Sequence, residues 1–248
     1  MRRAARAARL GAERARFAAW ARRLDLALRR AGGRLELDAP HGAHFYELPL
    51  PEVLLAGEGP GVLALRLGRD VHLGRRLVLE VFARARNEVE LGDRVHFAAA
   101  SRLQLRGGAI RAGADSSFRD GVLLNVSGGE IVLGRRCQLR RDSMIHANAR
   151  VEMHDQAGLA ERVSVVDMDH THDGSDTFYL DQPLHVEPVS IGRNTPVYAN
   201  TIIMRGARIG ANAVIGANTM VRAGDYPGGV LYAGNPARAV RPLSPPAG

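Results

Sequence analysis

The chain has no lysine: all 34 of its basic residues are arginine. A GC-rich coding bias explains so uniform a choice more simply than 34 separate demands for a guanidinium fork. A single cysteine, Cys137, excludes an internal disulfide and makes the cytoplasm the default compartment. Aromatic residues are 5% of a 248-residue sequence that is otherwise 46% hydrophobic, so its core is filled by aliphatic side chains rather than rings. No apolar run approaches the roughly 18 residues that a membrane span needs, and a soluble or at most surface-associated protein is expected.

Acidic charge is short in one place only. Residues 1–30 hold ten Arg against Glu13 and Asp25, which is the whole of the +8 net charge, while 24 Arg and 24 acidic residues cancel in the remainder. A neutral body argues against phosphate-backbone binding, and no nucleic-acid partner is expected. Residues 2–30 have helix-forming composition, with Leu10, Phe17, Leu24 and Leu28, and Trp20 beside them, in one apolar stripe that ends at Gly32 and Gly33. This basic helix, residues 1–33 as a unit, reads as packing on the end of the body or on a neighbouring subunit. Weak membrane-surface contact through residues 1–30 and a cleaved targeting segment are the alternatives.

What the chain does have is a six-residue period. Ile191, Val197, Ile203, Ile209, Ile215 and Val221 share one phase, and three positions after each stands Asn194, Asn200, Gly206, Asn212, Asn218 or Gly224. Helices want apolar residues at three- and four-residue steps and half-buried strands at every second position, so neither fits. Asn and Gly visit left-handed backbone most cheaply, which puts a corner in every hexapeptide. Thr195, Thr201, Ala207, Ala213 and Thr219 follow as a column of small residues, and Cys137 falls in the same column four residues after Leu133, as buried filler. The pattern predicts an all-β chain, a parallel β-helix with the aliphatic residues inside. Leu73 to Leu91 and Ile191 to Ile209 are both 18 apart, which suggests three hexapeptides per coil, and the 20 from Leu133 to Met153 suggests a two-residue bulge. Residues 34–66 read as an irregular lead-in, 67–232 as seven to eight coils, and 233–248 as a closure and loose tail with Pro242, Pro245 and Pro246. Within 112–129 the threading is open, because Asp115, Gly121 and Ser127 fall at inward positions.

Met153 and Ile191 are 38 apart, and the excess begins with Asp167, Asp169, His170, His172, Asp173 and Asp176. A long loop leaving a rigid solenoid is where function concentrates. His170, at the close of one coil and beside carboxylates, suits a general base.

The string Asp169-His170-Thr171-His172-Asp173, the return Pro188-Val189-Ser190-Ile191-Gly192 and the closing Ala233-Gly234-Asn235-Pro236-Ala237 resemble the hexapeptide-repeat acyltransferases. Over 151–241 the chain is similar to the branch of maltose, galactoside and nodulation-factor O-acetyltransferases and their polysaccharide-modifying relatives. The resemblance implies a left-handed β-helix, an active-site loop at 169–188, a homotrimer with sites between subunits, and acetyl-CoA or another acyl-CoA as co-substrate. It further implies that His170, with Asp169 and His172 in its motif, takes the proton of a small-molecule or saccharide hydroxyl. The backbone at Ala199 and Ala217 then meets the pantetheine arm, with Arg222 and Arg238 placed for the CoA phosphates. At Pro196 and Tyr198 the chain departs from these relatives, which carry Trp and Gly there. No metal is expected. N-acylation of an amino sugar, a zinc enzyme like the gamma-class carbonic anhydrases using His146, His154, His170 and His172, and a non-catalytic trimeric scaffold are the other readings. His72, His96 and His185 read as ordinary surface or corner histidines.

Overall fold

The computed structural model describes residues 2–45 and 50–244, the side chains of 2–10 excepted. Among these residues the fold is the expected all-β one: three sheets of nine, ten and eight strands, here sheets A, B and C, parallel except for the last strand of B, wind into a β-helix of about eight turns behind one N-terminal helix. The chain visits A, B and C in turn, so each coil is a triangle and the sheets are the faces of a prism. Within strands the residues alternate between buried and half-exposed, as in Leu123–Val126 and Glu130–Leu133, because successive side chains point to opposite faces.

The corners are built as the Asn/Gly column requires. Asn194, Asn200, Asn212 and Asn218 have φ of 54°, 59°, 57° and 54°, and Gly206 and Gly224 take the third corner at 71° and 140°. Each left-handed Asn donates its N–H to a carbonyl one coil back, as Asn212 does to Arg193 at 2.8 Å and Asn218 to Ala199 at 3.0 Å. Beside them Thr195, Thr201, Ala207, Ala213 and Thr219 are buried, and the Thr195 and Thr201 hydroxyls donate to the carbonyls of Gly210 and Gly216 in the next coil. Cys137 lies in this column, fully buried, with its thiol pushed up to about 11 by that burial.

The 18-residue coil holds only at the C-terminal end. Corner residues one coil apart are separated by 24 at Arg69 and Asp93, 21 at Arg94 and Asp115, 20 at Arg135 and Asp155 and 18 at Asn194 and Asn212. Leu73 and Leu91 therefore lie on different faces, B and A, and their spacing is no coil length. The 20-residue turn is a 21-residue turn shortened at a corner, not an 18-residue turn with a bulge. The same drift explains 112–129: Asp115 and Gly121 are left-handed corners, and Phe118, Leu124 and Val126 fill the interior. In the irregular-looking lead-in 34–66, strands Arg34–Asp38 and Val62–Leu67 pair in parallel on sheet A, with Leu63 and Leu65 buried. Arg238–Pro242 is likewise ordered, an antiparallel strand on Val230–Ala233 that covers the last open edge of sheet B.

The helix Arg2–Arg30 closes the other end. Phe17, Trp20, Leu24 and Leu28 are buried on the first coil, Trp20 Nε1 donates to the Pro51 carbonyl at 2.9 Å, and Phe17 and Trp20 pack on Phe45 with ring centroids 6.2 and 5.9 Å apart. Leu10's side chain, Pro49, Pro245 and Pro246 lie outside the described residues. Among the described residues no helix is long and apolar enough to cross a membrane.

Ile203 is fully buried in sheet C, and replacing it by Asp is expected to cost more than about 4 kcal/mol by burying an unpaired carboxylate. A soluble Ile203→Asp protein with an unchanged circular dichroism spectrum would contradict the assigned interior. A second expectation concerns acid. His44, His72 and His96 stand in register on sheet B with ring centroids 4.7 and 6.0 Å apart. Burial lowers the pKa of His72 below 6.5, helped by the neighbouring His44 and His96, and burial with Arg119 lowers that of His96. Unfolding thus takes up protons that the fold refuses, so this stability is complete above about pH 6.5 and lost as pH falls below it. Melting temperatures from pH 8 down to 5 are expected to drop on the acid side, and less so when both residues are Gln.

Candidate functional site

The parallel ladder runs unbroken through Ser164–Val166 on sheet C and then stops. Asp167 is the reason the chain leaves cleanly: fully buried, it accepts the backbone N–H groups of Asn148, Ala149 and Arg150 at 2.8, 2.7 and 2.8 Å. Its carboxylate thus satisfies the corner of the preceding coil, a structural task rather than a chemical one. Beyond it Met168–His170 and Leu184–Val186 form an antiparallel hairpin, pinned by Thr171 N–H on the Pro183 carbonyl and Glu187 N–H on the Asp167 carbonyl, both at 2.9 Å. The ladder resumes at Val189–Ile191 on sheet A. His170 is accordingly held by this hairpin at the corner between sheets C and A, not by the coil itself.

Around His170 the hairpin closes with a short 3₁₀ turn, Tyr179–Asp181. His170 Nδ1 lies 3.3 Å from the Gln182 carbonyl. A carbonyl only accepts, so this contact selects the tautomer with hydrogen on Nδ1 and leaves the Nε2 lone pair for another proton. Gln182 is itself fixed: its side chain is buried in an otherwise exposed loop, accepts the Asp173 N–H at 3.1 Å and donates to the Thr177 carbonyl at 3.1 Å. Tyr179 presents its ring edge-on to His170 at 5.8 Å and stacks on His172 at 6.4 Å, which gathers both histidines of the motif at one aromatic ring. Asp169 turns away to Arg205 of the next coil, Nε to Oδ1 2.7 Å. Arg205 also lies 3.5 Å from Glu187, which His185 Nε2 meets at 2.8 Å, so His185, exposed as expected of a surface histidine, is joined to the Asp169–Arg205 pair. The Ser175 hydroxyl and N–H beside Asp173 hold its carboxyl below the usual range.

Ala199 and Ala217 fall one above the other at the corner between sheets B and C, linked by the Asn218 N–H on the Ala199 carbonyl. The closing segment lies on the same corner one level on: Met220 N–H reaches the Gly234 carbonyl at 3.0 Å and Ala237 N–H the Met220 carbonyl at 2.8 Å. Arg238 follows, exposed and paired in register with Ala233. Arg222 stands instead on the corner between C and A, one coil beyond Met204 and on the same edge as the His170 hairpin. The expected base and the expected thioester track thus occupy neighbouring edges of the prism, separated by one face about 15 Å wide.

The four histidines of the zinc reading are scattered: His146 on sheet C, half-buried with its pKa lowered by burial, His154 at the corner between A and B, and the other two in the loop. Among the described residues no three His, Cys, Asp or Glu side chains are grouped for a metal. Pro196 begins a sheet B strand and Tyr198 is 51% exposed. Gln182 and Arg205 are the residues that sequence reasoning missed. Gln182 carries no periodic signal, whereas Arg205 could have been found as the residue preceding the corner Gly206.

No protein-family model matches the chain. It is 28% identical over 113 residues to a probable acetyltransferase of Mycobacterium tuberculosis, a match covering 46% of this chain and 37% of the relative's length. Its fold is like that of the polySia-specific acetyltransferase NeuO, at a TM-score of 0.63 and 18% identity over 77% of this chain and 80% of that one. It is also like that of AntD, an N-acyltransferase from Bacillus cereus, solved as a mutant in complex with dTDP and coenzyme A. That likeness has a TM-score of 0.55 and 18% identity over 62% of this chain and 84% of that one.

Asp167→Ala strands three corner N–H groups and is expected to lower stability by on the order of 3 kcal/mol in urea melts. Asp173→Ala, on the exposed part of the loop, is expected to leave the melt within about 0.5 kcal/mol of the parent.

Proposed function

We propose that this chain is an acyltransferase of the hexapeptide-repeat kind, moving an acyl group, acetyl first among them, from a CoA thioester to a hydroxyl of a saccharide acceptor in the cytoplasm. The observation that carries the reading is His170, an imidazole whose Nδ1 is occupied by the Gln182 carbonyl and whose Nε2 is left to accept a proton. In the reaction Nε2 takes the proton of the acceptor hydroxyl as its oxygen attacks the thioester carbonyl carbon. Collapse of the tetrahedral adduct breaks the C–S bond, and the imidazolium returns the proton to the departing thiolate. The acetyltransferase relative supports the group transferred. The polySia-specific acetyltransferase of similar fold supports a saccharide acceptor, and the CoA in the N-acyltransferase complex supports the donor.

Ala199 and Ala217 let a pantetheine arm approach the backbone without side-chain bulk, with Arg238 on the same corner and Arg222 on the next for the phosphates. A donor on the B–C edge of one subunit meets the His170 hairpin of another when three prisms assemble side by side, so a homotrimer completes the site. In favour stand large apolar side chains exposed on two edges of the prism: Phe178, Tyr179, Leu180 and Leu184 on the hairpin loop, and Tyr198 and Ile202 at the corner between sheets B and C. Such patches on a single chain are surfaces waiting for cover.

His170→Ala is expected to lower acceptor-dependent thiol release from acetyl-CoA by about 10² to 10⁴ with the melt unchanged, and His172→Ala by much less. Full activity in His170→Ala, with the loss falling on His172→Ala, would overturn the assignment. Parallel assays on hydroxyl and amino sugars separate O- from N-transfer.

A further inference from the structure

We infer that the outward face of the N-terminal helix is an electrostatic docking surface for a membrane rich in anionic phospholipid. Residues 1–30 carry the whole net charge. The structure uses the apolar stripe of this helix, Phe17, Trp20, Leu24 and Leu28, to close the first coil, so the helix is anchored and its other side is fixed toward solvent. That side exposes Arg16, Arg22, Arg23 and Arg30, and among the described residues no acid pairs with any of the four. Of the two acids, Glu13 is drawn in toward His44 at 2.6 Å and Asp25 is spent on Arg29 at 2.8 Å.

The residues between these arginines select the partner. Ala12, Ala15, Ala18 and Ala19 are exposed, Leu26 is 49% exposed, and residues 2–30 hold no Ser, Thr, Asn or Gln. Nucleic-acid surfaces mix Arg with polar donors and stacking rings, whereas a basic face interleaved with small apolar residues suits the headgroup boundary of a bilayer. A cavity of about 1000 Å³ opens beside the helix, with Arg23 and Arg76 over walls that include Leu24, Leu50 and Val78. Two guanidiniums over apolar walls repeat the same complementarity to an anionic amphiphile, against one acid, Glu52. The helix packs on the first coil and the His170 hairpin leaves the fifth strand after it on sheet C, about 25 Å further on, so docking through the far side of the helix, itself about 10 Å thick, holds the hairpin roughly 35 Å from the lipid.

Flotation of the full chain with vesicles of phosphatidylcholine alone, or mixed with phosphatidylglycerol, tests this. Binding is expected only to the mixed vesicles, to weaken as salt rises, and to fall at least about tenfold in the combined variant R16Q, R22Q, R23Q and R30Q. The control removes the same charge from the solenoid, R135Q, R136Q, R140Q and R141Q, and is expected to bind like the parent. Thiol release with a soluble acceptor is expected to stay unchanged in both, showing intact folds. Equal loss in the two variants, equal binding to neutral vesicles, or tighter binding to duplex DNA than to the mixed vesicles would each overturn the proposal.

Discussion

Everything in this molecule hangs on the left-handed corner residue whose N–H reaches back to the coil before. Such backbone is uphill for any residue with a Cβ, yet it recurs at Arg94, Asp115, Arg136, Gln156 and Arg162 as well as at the four asparagines. The compensation is visible each time: Arg136 N–H on the Ala114 carbonyl at 2.9 Å, Gln156 on Arg135 at 2.8 Å, Arg162 on Arg141 at 3.0 Å. The bend and the stacking of coils are one interaction, and it is what lets strands of two residues make continuous sheets.

Stacking at strand spacing also puts outward side chains of successive coils within reach, and the charges answer that. On sheet A, Arg111 donates to Glu130 in the next coil at 2.6 Å and to Glu88 in the previous one at 3.1 Å. Arg150 continues the run to Glu130 and Glu152. One guanidinium bridging carboxylates on both sides is a geometry that a lysine ammonium reproduces poorly. The same stacking pairs Arg69, Arg94 and Arg208 with acids one coil on, while the net charge stays on the helix, which lies outside the ladder.

Closed ends and a satisfied flank frame the longest excursion from the coil among the described residues. The helix seals the first coil, the antiparallel strand Arg238–Pro242 covers the last, and between them, among the described residues, only the corner after Asp167 releases a long insertion. The rigidity of the prism is useful there, since a two-stranded hairpin is marginal alone. This one is braced at its root by the Glu187 N–H on Asp167 and across to the next coil by Arg205 on Asp169.

The inward phase of Ile191 to Val221, the left-handed Asn and Gly corners, the small buried column and the inertness of Cys137 were legible from the sequence alone. Each follows from a local constraint repeated at fixed spacing, so one correct reading propagates along the chain. The long insertion and its histidines were legible too, as a break in that repeat. The coil length was not: strands such as Val78–Phe82 and Arg86–Leu91 still alternate while the coil shortens from 28 residues, Arg34 to Val62, to 18, and no local signal tells an 18-residue step along one face from a step between faces. Nor was the partition of the polar loop. Asp167 and Asp169 look alike in sequence, but three buried N–H groups claim one and Arg205 the other, and Gln182 meets His170 only because a hairpin folds twelve residues back on themselves. Those roles depend on which groups burial leaves in need of a partner, and only the packed chain decides that.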